Sequence, residues 1–350
     1  MEEKDGGGLK MIFPFTAIVG QDEMRRALIL NVIQPSIGGV LIMGEKGTAK
    51  STAVRALAEL LPDIEVVKGC TFNCEPDGFL CSGCLERLKK NESLERERKK
   101  MRVVELPLGI TEDRLVGTLD VEHALKKGEK RFEPGILADA NRNFLYVDEV
   151  NLLEDHIVDL LLDAAAMGVN TVEREGVSFV HPSRFILVGT MNPEEGDLRP
   201  QFLDRFGLCV RISSLQDRAS RMEILKRRAA FDAHPEAFLK EWAEEQRALA
   251  RRITDAQQRL PAVSVTDFAL ERIVEITTSL SLDGHRGDIV MMKTAQTFAA
   301  LKGEPSISME DICEAAPLAL RHRMRRLPFE EIGKESDRLS EVISGISMGI

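Results

Sequence analysis

The chain of 350 residues contains one tryptophan and one tyrosine, and aromatic residues make up only 5% of it. Few rings are left for stacking on nucleobases, and a net charge of −10 argues against nucleic acid as the main partner. No apolar run approaches the roughly 18 residues of a membrane span. The N-terminus Met1-Glu2-Glu3-Lys4-Asp5 lacks both a signal peptide and a basic, serine-rich transit segment, so the cytoplasm is the expected compartment. No internal repeat is visible, which excludes a solenoid array.

What is present supports ordered structure. Hydrophobic residues make up 43% of the chain, enough for about two domains with a core each. Apolar runs at Val40 to Met43, Val103 to Leu106, Phe144 to Val147, Phe185 to Val188 and Leu208 to Ile212 are separated by helix-like stretches, the α/β pattern of a parallel sheet. Strand signals stop near Leu215. Arg218 to Arg259 is charged and poor in glycine, which predicts one or two extended helices, and breaks at Leu260-Pro261, Asp283-Gly284 and Gly303 to Pro305 divide the rest into short helices. The expected division is an α/β core over 1–215, a charged helical linker over 216–260 and a helical domain over 261–350.

The most informative stretch is Gly44-Glu45-Lys46-Gly47-Thr48-Ala49-Lys50-Ser51, with Thr52 after it, between the first apolar run and a helix-patterned segment closed by Pro62. It has what a phosphate-binding loop needs: small residues that let backbone N–H groups converge on an anion, a lysine for the outer phosphates and a hydroxyl for Mg²⁺. The following helix aims the positive end of its dipole at the same point. The usual glycine before the lysine is Ala49 here, so this residue is expected to stay in an ordinary backbone region. A surface turn is the alternative, but the strand, loop and helix occur in the order a nucleotide site requires.

Phe144-Leu145-Tyr146-Val147-Asp148-Glu149 is a second apolar strand, ending in two acids. Behind a phosphate loop, Asp148 is placed to share with Ser51 the Mg²⁺ that accompanies ATP, and Glu149 to polarise an attacking water. Two helix-capping acids are the plainer reading.

With Phe185-Ile186-Leu187-Val188-Gly189-Thr190-Met191-Asn192 and Leu203-Asp204-Arg205-Phe206, these motifs resemble those of the AAA+ ATPases. The resemblance implies a P-loop parallel-sheet core with an all-helical C-terminal domain. It also implies that Asn192 helps place the attacking water and that Arg205 reaches the γ-phosphate of a neighbouring subunit. A guanidinium supplied across an interface would make hydrolysis depend on assembly; a surface salt bridge is the alternative for Arg205. Gly284-His285-Arg286-Gly287-Asp288 is similar to the family's second sensor, with Arg286 touching phosphate from the lid. An arginine at a helix start opposes the dipole unless an anion neutralises it. Ile18-Val19-Gly20-Gln21 resembles the segment that packs beside adenine, with core packing as the alternative.

Two insertions narrow the resemblance. Gly109 to Asp139 and the hairpin-patterned Thr171 to Val180, with its Glu175-Gly176 turn, resemble the helix insert and hairpin of the branch holding magnesium chelatases, MoxR-like ATPases and replicative helicases. Within it, Val147 to Leu153, Gly189 to Pro200 and Gly284 to Asp288 resemble the ATPase (I) subunit family of magnesium chelatases, and the likeness runs from about Pro14 to Arg326. This implies a hexameric ring that hydrolyses ATP between subunits and drives Mg²⁺ insertion into protoporphyrin IX for chlorophyll or bacteriochlorophyll. It also implies a D subunit and a porphyrin-binding H subunit as partners. A MoxR-like chaperone ATPase, a helicase-like DNA motor and a non-hydrolysing scaffold are the rival readings.

Cys70, Cys74, Cys81 and Cys84 form a C-x₃-C and C-x₂-C pair around a Pro76-Asp77-Gly78 turn. Structural zinc, redox pairing and a metal-free insertion are the three readings. Cys209 and Cys313 are expected to be buried bystanders. Glu86 to Arg102 reads as an exposed charged helix, and Arg321 to Arg326 as a basic run suited to a protein partner.

Overall fold

The computed structural model describes residues 11–120, 131–174, 177–324 and 334–348. Its strands are β1 (Val40–Gly44), β2 (Ile64–Val67), β3 (Arg96–Lys99), β4 (Val103–Leu106), β5 (Gly117–Asp120), β6 (Arg131–Pro134), β7 (Phe144–Val147), β8 (Val169–Arg174), β9 (Val177–Pro182), β10 (Ile186–Met191) and β11 (Leu208–Ile212). The five expected apolar runs form one sheet in the order β11-β1-β10-β7-β4, with every neighbouring pair parallel. Parallel strands end at the same edge, so the loop after β1, the acids after β7 and Asn192 after β10 converge there.

The central strands β1, β10 and β7 are buried on both faces, which is why they read as apolar runs, while the edge strands β4 and β11 carry the exposed Glu105 and Arg211. Val40, Ile42, Phe144, Tyr146, Val188 and Val210 face one cluster, while Leu41, Met43, Leu145, Val147, Leu187 and Cys209 face the other, as a side-chain period of two demands. A fully buried aliphatic side chain contributes about 1.5–3 kcal/mol. The sheet is therefore the rigid part, and the loops at its edge are positioned by it.

The first cluster does not stop at the end of the α/β part. It runs through Leu28 and Leu30 of helix Asp22–Ile33 into Ile253, Ile276, Met291 and Phe298 of the C-terminal helices. Two separate cores were the expectation, and one continuous core is found on this side. Helix Asp22–Ile33 is the reason, since eight of its twelve residues are buried and it is apolar on more than one side.

Three local expectations need correction. Residues 218–259 form three helices, Arg218–Ala233, Pro235–Glu241 and Ala243–Arg259, because Pro235 cannot continue the first and starts the second. The charged stretch after the last of the clustered cysteines is only partly helical: helix Ser82–Lys89 ends before Asn91, which takes positive φ, and β3 pairs antiparallel with β2. Its charges serve cross-strand pairs instead of helical ones, with Arg96 3.3 Å from Glu65 and 2.8 Å from Asp77. Within the insertion from Gly109 to Asp139, short helices Glu112–Val116 and Ile136–Ala140 flank an antiparallel β5–β6 pair, so its described residues are as much strand as helix. The second insertion is the expected hairpin, β8 against β9, and its Glu175-Gly176 turn lies outside the described residues. Among the described residues, no helix is long and apolar enough to cross a membrane.

Candidate nucleotide site

The loop after β1 is built by backbone geometry. A Cβ at Gly44 would lie 2.3 Å from the Ile212 carbonyl oxygen, so the close pairing of β1 with β11 admits only glycine. Ala49 does not keep an ordinary conformation: it sits at φ 62°, ψ 23°, the left-handed region its missing glycine would have occupied without strain. The expectation for this residue is overturned because the loop's path, set by β1 and the helix Lys50–Leu60, outweighs the preference of one methyl group. That helix begins with no side-chain cap and no acid in its first turn, which suits its N-terminal N–H groups to an anion.

Lys50 folds back over the loop, its Nζ donating to the carbonyls of Gly44 at 2.5 Å and Glu45 at 3.2 Å. Burial lowers its pKa, and the charges of Asp148, Glu149 and Glu195 oppose that shift. A cavity of about 510 Å³ gathers Lys46, Lys50, Ser51, Asp148, Glu149, Thr190 and Asn192. In it Asp148 Oδ1 accepts from the Thr190 hydroxyl at 2.6 Å and from the Tyr146 hydroxyl at 3.1 Å. Burial, followed by the Asp148 charge, raises the Tyr146 pKa, so Tyr146 remains a donor to this carboxylate. Ser51 and Asp148 thus supply a hydroxyl and an oriented carboxylate to one space, a donor set that fits hard Mg²⁺.

Glu149 is a further left-handed residue, at φ 54°, ψ 55°, held by its N–H donating to Thr190 Oγ1 at 3.1 Å. Its carboxylate is 3.1 Å from Lys46 Nζ, which also lies 2.6 Å from Glu195. The buried Asn192 uses its Oδ1 to accept from the Glu194 N–H at 3.3 Å, which fixes the side chain at the cavity rim.

A second cavity, of about 450 Å³, shares Gly47, Thr48, Ala49 and Thr52 with the first and continues over Phe13, Ile18, Val19, Gln21 and Leu215. Its walls are largely apolar, with Arg221, Arg227 and Arg228 also among its lining, whereas the first is mostly polar and charged, a contrast that suits a base beside a polyphosphate. Gln21 donates from Nε2 to the Ser213 carbonyl at 3.0 Å, closing one wall.

Neither arginine expected at the site lines these cavities. Arg205 Nη1 lies 2.8 Å from Asp159 and 3.2 Å from Asp163, both on helix Asp155–Met167. Arg286, the first residue of helix Arg286–Lys302, donates to Asp204 at 2.9 Å. The carboxylate of Asp204 is shared with buried Arg323, whose Nε is 3.2 Å away and whose Nη2 donates to the Phe206 carbonyl at 2.7 Å. Burial brings the Arg323 pKa down to about 10. Sequence reasoning missed Thr190 and Arg323 as parts of this machinery, and it placed Lys46 in the phosphate loop without its pairs to Glu149 and Glu195. Thr190 was the most findable, since it stands two residues before Asn192 on β10 and so shares its face.

The four clustered cysteines are all buried and their sulfur atoms lie within 4.8 Å of one another. Cys209 is buried as expected, with burial pushing its pKa up to about 12, whereas Cys313 is only half-buried.

A family model described as the AAA domain (dynein-related subfamily) matches residues 83–206, and one described as the AAA lid domain matches 270–342. The magnesium-chelatase subunit ChlI homolog of Methanocaldococcus jannaschii is 57% identical over 336 residues, covering 96% of this chain and 92% of the relative. The chloroplastic magnesium-chelatase subunit ChlI of Chlamydomonas reinhardtii is 52% identical over 98% of this chain and 82% of its own. Among solved structures, a chain in the complex between subunits BchI and BchD of magnesium chelatase aligns at a TM-score of 0.55 and 48% identity, over 94% of this chain and 100% of that one. A putative ATPase from Cytophaga hutchinsonii, 17% identical with a TM-score of 0.61 over 96% of this chain and 92% of its own, shares the fold. With more than half its residues in common with chelatase subunits along nearly its whole length, the chain belongs to the ATPase (I) subunit family of magnesium chelatases, a branch of the AAA+ ATPases.

Proposed function

We propose that this chain is the ATP-hydrolysing motor subunit of a magnesium chelatase, using hydrolysis to drive Mg²⁺ insertion into protoporphyrin IX. The observation that carries this reading is the full-length identity with chelatase subunits, supported by a charged cavity that adjoins a largely apolar one. Dehydrating Mg²⁺ and distorting a rigid macrocycle are both costly, which gives a reason to couple insertion to ATP.

In this reading Lys50 binds the β- and γ-phosphates over the Gly44 to Ser51 loop, and Ser51 and Asp148 hold the Mg²⁺ that accompanies ATP. Glu149 takes a proton from the attacking water, and Asn192 orients that water. Thr52 and Gln21 belong to the wall that receives the base. Arg205 acts on the neighbouring subunit's nucleotide, a role consistent with its position outside both cavities of its own chain, and Arg286 reads the nucleotide from the lid. The working form is a hexameric ring in the cytoplasm, with a D subunit joining it to a porphyrin-binding H subunit. The core over 1–215, the linker over 216–260 and the lid over 261–350 are its moving parts.

Reconstitution tests this. The chain, D and H subunits, protoporphyrin IX and MgATP should yield Mg-protoporphyrin, followed by its fluorescence, and Lys50→Ala should abolish both product and ATP turnover. Active hydrolysis without metallated porphyrin would reject the chelatase role, and stimulation of turnover by DNA would favour a helicase-like motor instead.

A further inference from the structure

The segment between β2 and β3 folds around four thiols that the nucleotide chemistry does not use. Two left-handed residues, Gly69 at φ 73° and Asn73 at φ 45°, turn the chain so that Cys70 and Cys74 face the same side. Cys81 stands at the N-cap position of helix Ser82–Lys89, and Cys84 follows in its first turn. All four are buried free cysteines, and Cys74 has no exposed surface. The remaining partners of this small core are apolar, among them Val67, Phe72 and Leu80.

From this arrangement we infer a structural zinc site formed by Cys70, Cys74, Cys81 and Cys84. The spacing of the sulfurs supports a single ion. A tetrahedral centre with metal–sulfur bonds of about 2.3 Å has sulfur–sulfur edges of about 3.8 Å. Cys70 and Cys81 Sγ are 3.8 Å apart, and no pair among the four exceeds 4.8 Å. Both sequence spacings, C-x₃-C and C-x₂-C, lie within the range used by tetrahedral thiolate sites. The surroundings suit a negatively charged thiolate cluster, since the Cys81 N–H donates to Cys74 Sγ at 3.2 Å and the helix directs its positive end at Cys81 and Cys84. The four-thiolate donor set is closed, with no position left for substrate, so the ion is structural.

The site also has something to hold. Phe72, between the first two cysteines, packs 4.7 Å from the ring of His181 and 5.9 Å from Phe179, both on β9, and 6.3 Å from Phe132 on β6. The Phe72 carbonyl accepts from Asn141 Nδ2 at 2.6 Å. The ion therefore braces the point where both inserted hairpins meet the core.

The full-length protein, produced in zinc-containing medium and dialysed against EDTA, should retain about one zinc per chain by plasma mass spectrometry. A mercurial thiol reagent should release it, and cobalt(II) supplied in its place should give thiolate charge-transfer and tetrahedral d–d absorption. The double variant Cys74→Ser with Cys84→Ser should hold less than roughly a tenth as much metal. Wild-type protein without zinc, whether its cysteines are free or paired as disulfides, would overturn the inference, as would iron in place of zinc or zinc retained by the double variant. If the variant is insoluble, the wild-type metal content and the cobalt spectrum decide.

Discussion

Lys46 Nζ sits 3.1 Å from the carboxylate of Glu149, so the loop that is to receive phosphate holds the proposed base with a side chain of its own. The two residues are far apart in sequence and meet because β1 and β7 end at the same edge of the sheet. Glu195 completes the clamp at 2.6 Å, and these two carboxylates raise the Lys46 pKa, Glu195 contributing most.

Removing this clamp should release Glu149. Lys46 is 67% exposed, so its pairs are weak and screened by salt. Lys46→Gln should therefore raise basal turnover by about 2–5-fold at low salt, with the gain shrinking as salt screens the pair. Phosphate release at two ionic strengths measures this; a lower kcat with a higher KM would show instead that the side chain binds nucleotide.

Ala49 carries the strain of a glycine position. Left-handed backbone costs a non-glycine residue about 1–2 kcal/mol, and glycine gives back about 0.5–1 kcal/mol in chain entropy. Ala49→Gly is expected to stabilise the nucleotide-free protein by about 0.5–1 kcal/mol in urea unfolding, with Ala49→Val clearly destabilising. A loss of stability in the glycine variant would mean that the methyl group's contacts outweigh the strain.

Arg205 is held in its own chain by Asp159 and Asp163 but is assigned to a neighbour's nucleotide. Arg205→Ala should leave ATP binding nearly intact while lowering hydrolysis by about 10³-fold or more. Mixed with Glu149→Gln, itself inactive, it should recover part of the activity, because some interfaces then pair an intact Glu149 with an intact Arg205. Titration of one variant into the other provides the measurement, and a mixture no more active than its parts would place Arg205 in a purely structural role.

Acid should weaken the fold through buried histidines. His181 is neutral in the fold: Nδ1 donates to the Pro182 carbonyl at 2.9 Å, and Nε2 accepts from Asn170 at 3.0 Å. Burial lowers its pKa from 6.5, and His322 is lowered further by burial and then by the Arg323 charge. Below about pH 6.5 the unfolded chain binds protons that the folded chain refuses, so stability is full above that pH and falls as pH drops. Melting temperatures from about pH 7.5 to 5.5 should show the decline, with a shallower slope in His181→Gln. An unchanged slope in that variant would remove His181 from the explanation.

The parts of the site that sequence revealed are those in which function is local. Gly44 to Ser51, Asp148 and Asn192 each follow an apolar strand within a few residues, and parallel pairing alone is enough to unite them. Ala49 was misjudged because a residue's backbone region depends on where its flanking elements lie, which residue type does not record. The pairing of Lys46 with Glu195 and of Arg323 with Asp204 was missed for a related reason, since these partners are distant in sequence and carry no spacing signal. Strand β3 was read as helix because alternating charge suits either period when no apolar stripe is present to choose between them.

Asp204 and Arg205 are consecutive, yet their side chains answer to different parts of the molecule. Asp204 is held by Arg286 and Arg323 from the C-terminal helices, while Arg205 is held by helix Asp155–Met167. In the proposed roles, a swing of the lid that draws Arg286 toward a phosphate would release Asp204, one peptide bond from the arginine proposed to serve the next subunit. In the ring proposed above, such a short lever would let each subunit time its neighbour, so that firing order would be a property of the circle and no single member would have to keep the clock.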